Sequence, residues 1–177
     1  GEKDIYLEHL EMEIKNWLSF RGLNKILGRS ILIGGGTPTD LSPKQLMRFL
    51  TFFSKYVDID NCRQFNYDVD PSTLVGEDGL EKLRIIKDFQ GNRLTIGVQS
   101  LNDGVLKKMN RSHNADTAKK AIDNCLKMGF HVNIEFIYGH PGETLQNWQE
   151  VMEDACKLGT EEIQLYRLKI EPYGDQE

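Results

Sequence analysis

Three strand-like segments of the sequence alternate apolar and polar residues, and segments of helical length separate them. Residues 64–69, 94–98 and 132–137 place apolar side chains on one face and amides, carboxylates or glycine on the other, because successive side chains of a strand point to opposite faces. Parallel strands covered by helices on both faces usually read as continuous apolar runs. The polar face therefore predicts a barrel lumen that opens where the strands end. An antiparallel sheet with one solvated face would need hairpin turns, which the helical spacing disfavours.

Strand and helix patterns alternate along the rest of the chain as well. Further strands are predicted at residues 30–33 and 163–168, and this alternation is typical of parallel βαβ units in a doubly wound sheet or a barrel. The clearest helix start is at Ser42, where Pro43 and Gln45 complete a capping box. Large side chains that recur at helical spacing are predicted to be core residues: Tyr6, Trp17, Trp148 and the methionines.

The composition indicates one folded domain over residues 1–177. With 39% hydrophobic and 28% charged residues, the chain is not of the disordered class. Its net charge of −5 disfavours a nucleic-acid partner, and no apolar run is long enough to span a bilayer. The first residues lack the pattern of a secretion signal, so the expected location is the cytoplasm.

The three cysteines, Cys62, Cys125 and Cys156, lie far apart in the sequence. An odd number of scattered cysteines fits reduced thiols in the cytosol better than a disulfide framework. Their spacing also excludes a local Cys-x-x-Cys metal site. We therefore predict that this chain contributes no metal ligands.

Residues able to bind a ligand follow the first two predicted strands. The segment 34–38, Gly-Gly-Gly-Thr-Pro, would let the backbone approach a ligand and present its N–H groups; a flexible connecting turn is the alternative. Asp70 with Pro71 is typical of an Asx turn. Asp68 lies one pleat deeper, where an unpaired charge is costly to bury, so it needs a partner such as the ammonium group of a ligand.

Three more candidates come from the later strands and loops. Gln99 and Glu135 end their strands at the same mouth, where they bind a ligand or hydrogen-bond each other and Asn133. Arg111 would pair bidentately with a carboxylate, although a lone arginine is more often a surface residue. Two loop histidines receive no functional role, because such residues are more often structural: His113 and His140.

Six motifs, taken in order, resemble those of the radical S-adenosylmethionine (SAM) enzymes. The most similar branch is that of the oxygen-independent coproporphyrinogen III oxidases and the related haem chaperones. The resemblance covers nearly the whole chain. The motifs are residues 34–38, 68–71, 96–100, 110–113, 133–144 and 165–168.

This resemblance implies a fold, two cofactors and a set of binding residues. The fold is a partial (β/α)₆ barrel that lacks its first strand and cluster loop, and the cofactors are SAM and a [4Fe–4S] cluster. The family usually has Glu at the position of Asp68 and Asp at the position of Glu135. The charge is the same at both positions, but the length of each side chain differs by one methylene. The residues implied to contact SAM are Gly35, Gly36, Thr37, Asp68, Gln99, Arg111 and Glu135.

The chain departs from the family pattern in its cysteines. The Cys-x-x-x-Cys-x-x-Cys signature that holds the cluster is absent, and the three cysteines present do not share a loop. The resemblance places that signature just before Gly1. We therefore expect the chain to be most of a catalytic barrel from a longer protein, and to be inactive alone.

For the intact protein, the resemblance implies an oxidoreductase that reductively cleaves SAM at the cluster to start radical chemistry on a porphyrin-type substrate. Its partners would be a small molecule of the tetrapyrrole class and an electron donor for the cluster. A haem chaperone of the same family is the alternative, and residues 99–100 and 111–113 look closer to that branch. A radical methyltransferase or a haem-degrading relative is a third possibility.

Overall fold

The computed structural model describes residues 1–169 as helices that alternate with parallel strands. Two short 3₁₀ turns, Pro38–Asp40 and Pro71–Leu74, follow the first two strands. Within this range the strands are β1 (Ser30–Ile33), β2 (Gln64–Val69), β3 (Arg93–Gln99), β4 (His131–Tyr138) and β5 (Glu162–Arg167). The helices are α1 (Glu2–Arg21), α2 (Pro43–Tyr56), α3 (Gly76–Asp88), α4 (Asp103–Lys108), α5 (Ala115–Lys127) and α6 (Leu145–Cys156).

The five strands form one parallel sheet in the order β1-β2-β3-β4-β5. In register, Tyr67 of β2 pairs with Leu94 of β3, and Ile96 of β3 pairs with Ile134 of β4. A doubly wound sheet reverses its strand order at a switch point, whereas here each strand is added beside the preceding one. The order therefore favours the barrel over the doubly wound alternative and confirms the predicted parallel α/β fold.

The apolar face of the strands forms the core under the helices. Phe65, Tyr67, Ile96, Ile134 and Phe136 are fully buried, as the alternation in the sequence predicts. The rings of Phe65 and Tyr67 stack with their centroids 4.9 Å apart, which adds to the free energy of burial. Among the described residues, no helix is both long and apolar enough to cross a membrane.

The prediction that Tyr6 and Trp17 are core residues is wrong. Tyr6 is 62% exposed and Trp17 is 46% exposed, while Leu7 and Leu18 are buried. Apolar residues occur all around α1, so their spacing did not identify the face that packs on the domain. Two predicted methionines are exposed as well, Met12 and Met47.

An ion pair joins two strands that are not neighbours at the amino-terminal end of the sheet. Arg93 of β3 donates two hydrogen bonds to Glu162 of β5, at 2.5 and 2.6 Å. The bond reaches across β4, which lies between the two strands. This bidentate geometry fixes both side chains and ties the two strands together at the base of the lumen.

Gly79 packs against the backbone of the second 3₁₀ turn, and we expect its replacement by alanine to destabilise the fold. A Cβ there would lie 2.4 Å from the carbonyl carbon of Leu74. Overpacking costs about 1–3 kcal/mol, which outweighs the gain of about 1 kcal/mol in helix propensity. Urea titration should therefore give a lower free energy of unfolding for Gly79→Ala.

Gly28→Ala is the matched control for this prediction. A Cβ at Gly28 would lie 3.6 Å from the nearest atom, an ordinary contact. The substitution restricts the unfolded chain and should leave stability unchanged or raise it by up to about 1 kcal/mol. Equal stability of the two variants would mean that Gly79 is not closely packed.

Candidate functional site

A polar cleft of about 340 Å³ opens at the carboxyl ends of the strands. Parallel strands that alternate with helices end at one edge of the sheet, and this edge is where barrel enzymes bind their ligands. The cleft gathers all seven residues that the resemblance implies for SAM contact. It is lined by Gly35, Gly36, Thr37, Asp68, Val69, Asp70, Thr95, Gly97, Gln99, Arg111 and Glu135.

The glycine segment after β1 forms one wall of the cleft. A Cβ at Gly34 would lie 2.5 Å from Asp68 Oδ2, so a side chain at this position would displace the Asp68 carboxylate. Gly35 and Gly36 have φ angles of 85° and 95°, a region that side chains strongly disfavour. Within residues 1–169 no backbone acceptor takes the N–H of either glycine. Both groups are therefore available to a ligand.

Two carboxylates, Asp68 and Glu135, lie in the cleft without a cationic partner among residues 1–169. Burial raises the pKa of Asp68. Burial also raises the pKa of Glu135; a hydrogen bond from Tyr166 opposes this rise, and the charge of Asp68 adds to it. Both shifts disfavour the ionised carboxyls, and a cationic ligand would reverse that penalty.

Polar side chains from three strands form the floor below these carboxylates. Asn66 Nδ2 donates to Thr95 Oγ1 at 3.0 Å and lies 3.4 Å from Asp68 Oδ1. Asn133 Nδ2 lies 3.5 Å from the same Thr95 oxygen, while the Asn133 Oδ1 atom is buried without a partner in the described structure. Hydrogen bonding thus extends across β2, β3 and β4 beneath the site.

Gln99 ends β3 in a strained conformation. Its φ of 66° lies in the left-handed region, where a residue other than glycine costs about 1–3 kcal/mol, and the pairing of β3 with β4 shifts register between Ile96 and Gln99. The side-chain Oε1 of Gln99 is buried with no partner in residues 1–169. Within residues 1–169 it does not hydrogen-bond Glu135 or Asn133, and the ligand role of Gln99 stays a prediction.

Arg111 is held inside the cleft and is not a surface residue. Its Nη2 donates to Asp70 Oδ2 at 3.2 Å and to Gly97 O at 3.3 Å, and its Nε is buried without a partner in the described structure. Asp70 also forms the predicted Asx turn, because its Oδ1 accepts from Ser72 N at 2.9 Å. Burial opposes ionisation of Asp70, but the His113 ring and the Ser72 hydrogen bonds hold its pKa well below the usual range.

His113 and Tyr166 contact residues of this site, although neither is assigned a role from the sequence. The His113 side chain is fully buried between Val98 O, at 3.0 Å, and Asp70. The Tyr166 hydroxyl lies 3.2 Å from Glu135 Oε1. The sequence around a single histidine does not show whether it is buried. Both residues could have been found only because they lie in the motifs at 110–113 and 165–168.

The residues present do not fit a metal cluster. Cys62 precedes β2, Cys125 is buried in α5 and Cys156 ends α6, and none of them lines the cleft. Burial raises the pKa of the Cys125 thiol to about 12, which disfavours the thiolate that metals bind. Residues 1–169 contain no group of three or more His, Cys, Asp or Glu side chains able to hold a metal ion.

Comparison with known proteins identifies the family of this fold and cleft. The profile of the radical SAM superfamily matches residues 8–155. The chain belongs to the radical SAM superfamily. It is 31% identical to the heme chaperone HemW of Bacillus subtilis and 32% identical to that of Lactococcus lactis, each over 171 residues and 96% of the chain.

Among solved structures, this radical SAM chain is similar to the coproporphyrinogen III oxidase HemN of Escherichia coli. The TM-score is 0.83 with 25% identity, over 97% of this chain and 38% of that one. The chain therefore lies in the HemN- and HemW-like branch, and its five strands form part of the same barrel. It spans 44% and 42% of the two HemW relatives.

Proposed function

We propose that the cleft binds SAM. The observation that carries this proposal is the pair of carboxylates, Asp68 and Glu135, which share a half-buried cleft and have no ion-pair partner in residues 1–169. SAM has two positive groups, an ammonium and a sulfonium, that would offset this charge. Its own carboxylate and its polar adenosine need donors and acceptors, which the rest of the cleft supplies.

Different residues of the chain would contact different parts of SAM. The free N–H groups of Gly35 and Gly36, with the Thr37 hydroxyl, suit the methionyl part. Asp68 and Glu135 suit the positive groups, because opposite charges attract strongly in a cleft that limits water. Two buried unpartnered atoms, Gln99 Oε1 and Arg111 Nε, remain to accept from and donate to the ligand. These assignments agree with the family resemblance residue by residue.

The residues of this chain would then contribute to the reaction by binding and orienting SAM. When SAM is bound and receives an electron from a [4Fe–4S] cluster, it supplies the radical chemistry of the superfamily. Residues 1–169 do not fit such a cluster, so its ligands and an electron donor are separate requirements. The buried apolar layer under the strands and the fixed floor of the lumen hold the binding residues in place.

For the full-length protein we propose a reaction on a porphyrin-type substrate in the cytoplasm. The similarity to HemN over 97% of this chain supports it. A haem chaperone is the second candidate, since two relatives of 31% and 32% identity bear that name. Both functions imply a partner of the tetrapyrrole class.

The test is whether the full-length protein cleaves SAM. After reconstitution of its cluster without oxygen, incubation with SAM and dithionite should yield 5′-deoxyadenosine, measured by liquid chromatography with mass detection. The double variant Asp68→Asn with Glu135→Gln should yield far less at the same iron content. A fully loaded protein that forms no 5′-deoxyadenosine would contradict the enzymatic proposal.

Two additions to the same preparation separate the candidates. Coproporphyrinogen III should be decarboxylated if the protein is an oxidase, whereas haem should bind stoichiometrically and shift the Soret band if it is a chaperone. Cleavage of SAM that neither tetrapyrrole alters, with no haem bound, would contradict both tetrapyrrole roles while leaving SAM binding intact.

A further inference from the structure

The contacts of Asp70 form a cluster that reaches beyond the residues assigned to SAM. Asp70 is 16% exposed in its side chain. Its Oδ1 accepts from Ser72 N at 2.9 Å and from Ser72 Oγ at 2.6 Å. Its Oδ2 accepts from Arg111 Nη2 at 3.2 Å and lies 3.7 Å from His113 Nδ1. One carboxylate thus connects the end of β2 to two basic side chains from the loop between α4 and α5.

The hydrogen bonding of His113 fixes where its proton lies. Its Nε2 is 3.0 Å from Val98 O, and because a carbonyl oxygen only accepts, Nε2 must carry hydrogen. Its Nδ1 is buried without a hydrogen-bond partner in residues 1–169 and faces Asp70 Oδ2. In a neutral ring the Nδ1 lone pair would oppose the carboxylate. A second proton, on Nδ1, would instead place a positive charge 3.7 Å from the Asp70 carboxylate.

We propose that His113 is a positioning residue, which acts as a doubly protonated ring that secures Asp70 and, through it, the Arg111 guanidinium. This inference rests on the proposed function, since Arg111 is one of the residues that would contact SAM. The carboxylate of Asp70 and the carbonyl of Gly97 take one nitrogen of Arg111, so the remaining donors keep a fixed direction. A fixed guanidinium loses less entropy when it pairs with a ligand carboxylate.

The groups around the His113 ring determine what a proton on its Nδ1 would contact. Within residues 1–169, Asp70 is the one carboxylate within 4 Å of a His113 ring nitrogen. It comes from the end of β2, and the β3 strand contributes a neutral carbonyl, that of Val98. The cation on the ring's own loop is Arg111, which bonds the same Asp70 oxygen. Loss of the Nδ1 proton would therefore leave Asp70 held by Arg111 and Ser72 alone.

Two substitutions separate this role from a purely structural one. The amide nitrogen of His113→Asn lies near the position of Nδ1 and still donates toward Asp70. The amide nitrogen of His113→Gln lies near Nε2 and keeps the bond to Val98 O instead. Positioning through Asp70 predicts that the asparagine variant binds SAM better, and a structural tie between the loop and β3 predicts the reverse order.

The experiment measures SAM affinity calorimetrically on the cluster-loaded full-length protein. Because His113→Gln removes the contact with Asp70, it should weaken binding by about tenfold, which corresponds to about 1.4 kcal/mol, and His113→Asn should weaken it by less than about threefold. His9→Asn, an exposed change on α1, should alter nothing.

A second readout keeps this inference separate from SAM binding itself. The ¹⁵N shifts of the His113 ring, at pH 6.5 and without SAM, should report protons on both nitrogens. A neutral ring, or a glutamine variant that binds as well as the wild type, would overturn the positioning role. If the wild type binds no SAM while the ring is doubly protonated, the proposed function fails and the Asp70 contact stands.

Discussion

Replacing both cleft carboxylates, Asp68→Asn with Glu135→Gln, should lower SAM affinity by about 100-fold or more. Each carboxylate that faces a positive group of the ligand would contribute about 1.5–3 kcal/mol, and every 1.4 kcal/mol is about tenfold in affinity. Each single variant should lose about tenfold. The measurement is calorimetric titration of the cluster-loaded full-length protein without oxygen.

The same double variant should be at least as stable as the wild type when no ligand is bound. Burial raises the pKa of Asp68 and Glu135, so their ionised forms oppose folding. A carboxyl with a raised pKa in the folded state contributes stability that is lost as the pH rises through that pKa. The wild type should therefore lose this contribution between acidic and neutral pH, and the amide variant should not. If the double variant were less stable than the wild type at neutral pH, the ionised carboxyls would not oppose folding, which would contradict this prediction.

The pH dependence of binding follows from the same shifts. SAM affinity should decrease on acidification from a higher pH than the ordinary pKa values of about 4 predict, because these two carboxyls protonate early. Asp60→Asn is the matched control, since Asp60 is exposed in the turn before β2. This variant should bind SAM like the wild type, and a comparable loss would mean that overall charge, not the cleft, governs affinity.

Gly36→Val should abolish measurable SAM binding while costing only moderate stability. At a φ of 95° a β-branched residue is strained, although a Cβ there would meet no atom within 4 Å. The strain costs about 1–3 kcal/mol and should shift the loop that lines the cleft. Because a displaced loop would no longer present the N–H groups of Gly35 and Gly36 to a charged ligand, at about 1.5–3 kcal/mol for each hydrogen bond, we expect SAM affinity to fall by about 100-fold or more.

Gly159→Val is the matched control, because it imposes the same strain away from the cleft. Gly159 has a φ of 74° and also has no atom within 4 Å of an added Cβ. Both variants should lower the melting temperature by a similar amount, and only Gly36→Val should lose binding. If Gly159→Val lost binding equally, the effect would be one of global stability.

Much of the fold and the cleft could be predicted because both depend on short-range pattern. The alternation of apolar and polar residues in three strands fixed which face packs under the helices. Strand direction then brought Asp68, Gln99 and Glu135 to one edge, although up to 67 positions separate them in the sequence. The strand bounds agree with the predicted ones to within a residue or two.

The features that could not be predicted depend on contacts between distant parts of the chain. The pair formed by Asp70 and Arg111 joins positions 41 residues apart, and no local pattern encodes it. The left-handed backbone of Gln99 follows from the register shift between β3 and β4, which is a property of two strands together. The buried face of α1 was missed because apolar residues surround that helix.

The bond between Arg93 and Glu162 at the base of the sheet bears on how the barrel can move. It links β3 to β5 at their amino ends, whereas the residues that line the cleft lie at the opposite ends of the strands. Because this pair holds β3 and β5 together at their amino ends, the strands can separate more easily at their carboxyl ends. Motions that open the cleft to a large, flat ligand should therefore increase the distances between strands at their carboxyl ends and leave the distances at their amino ends unchanged.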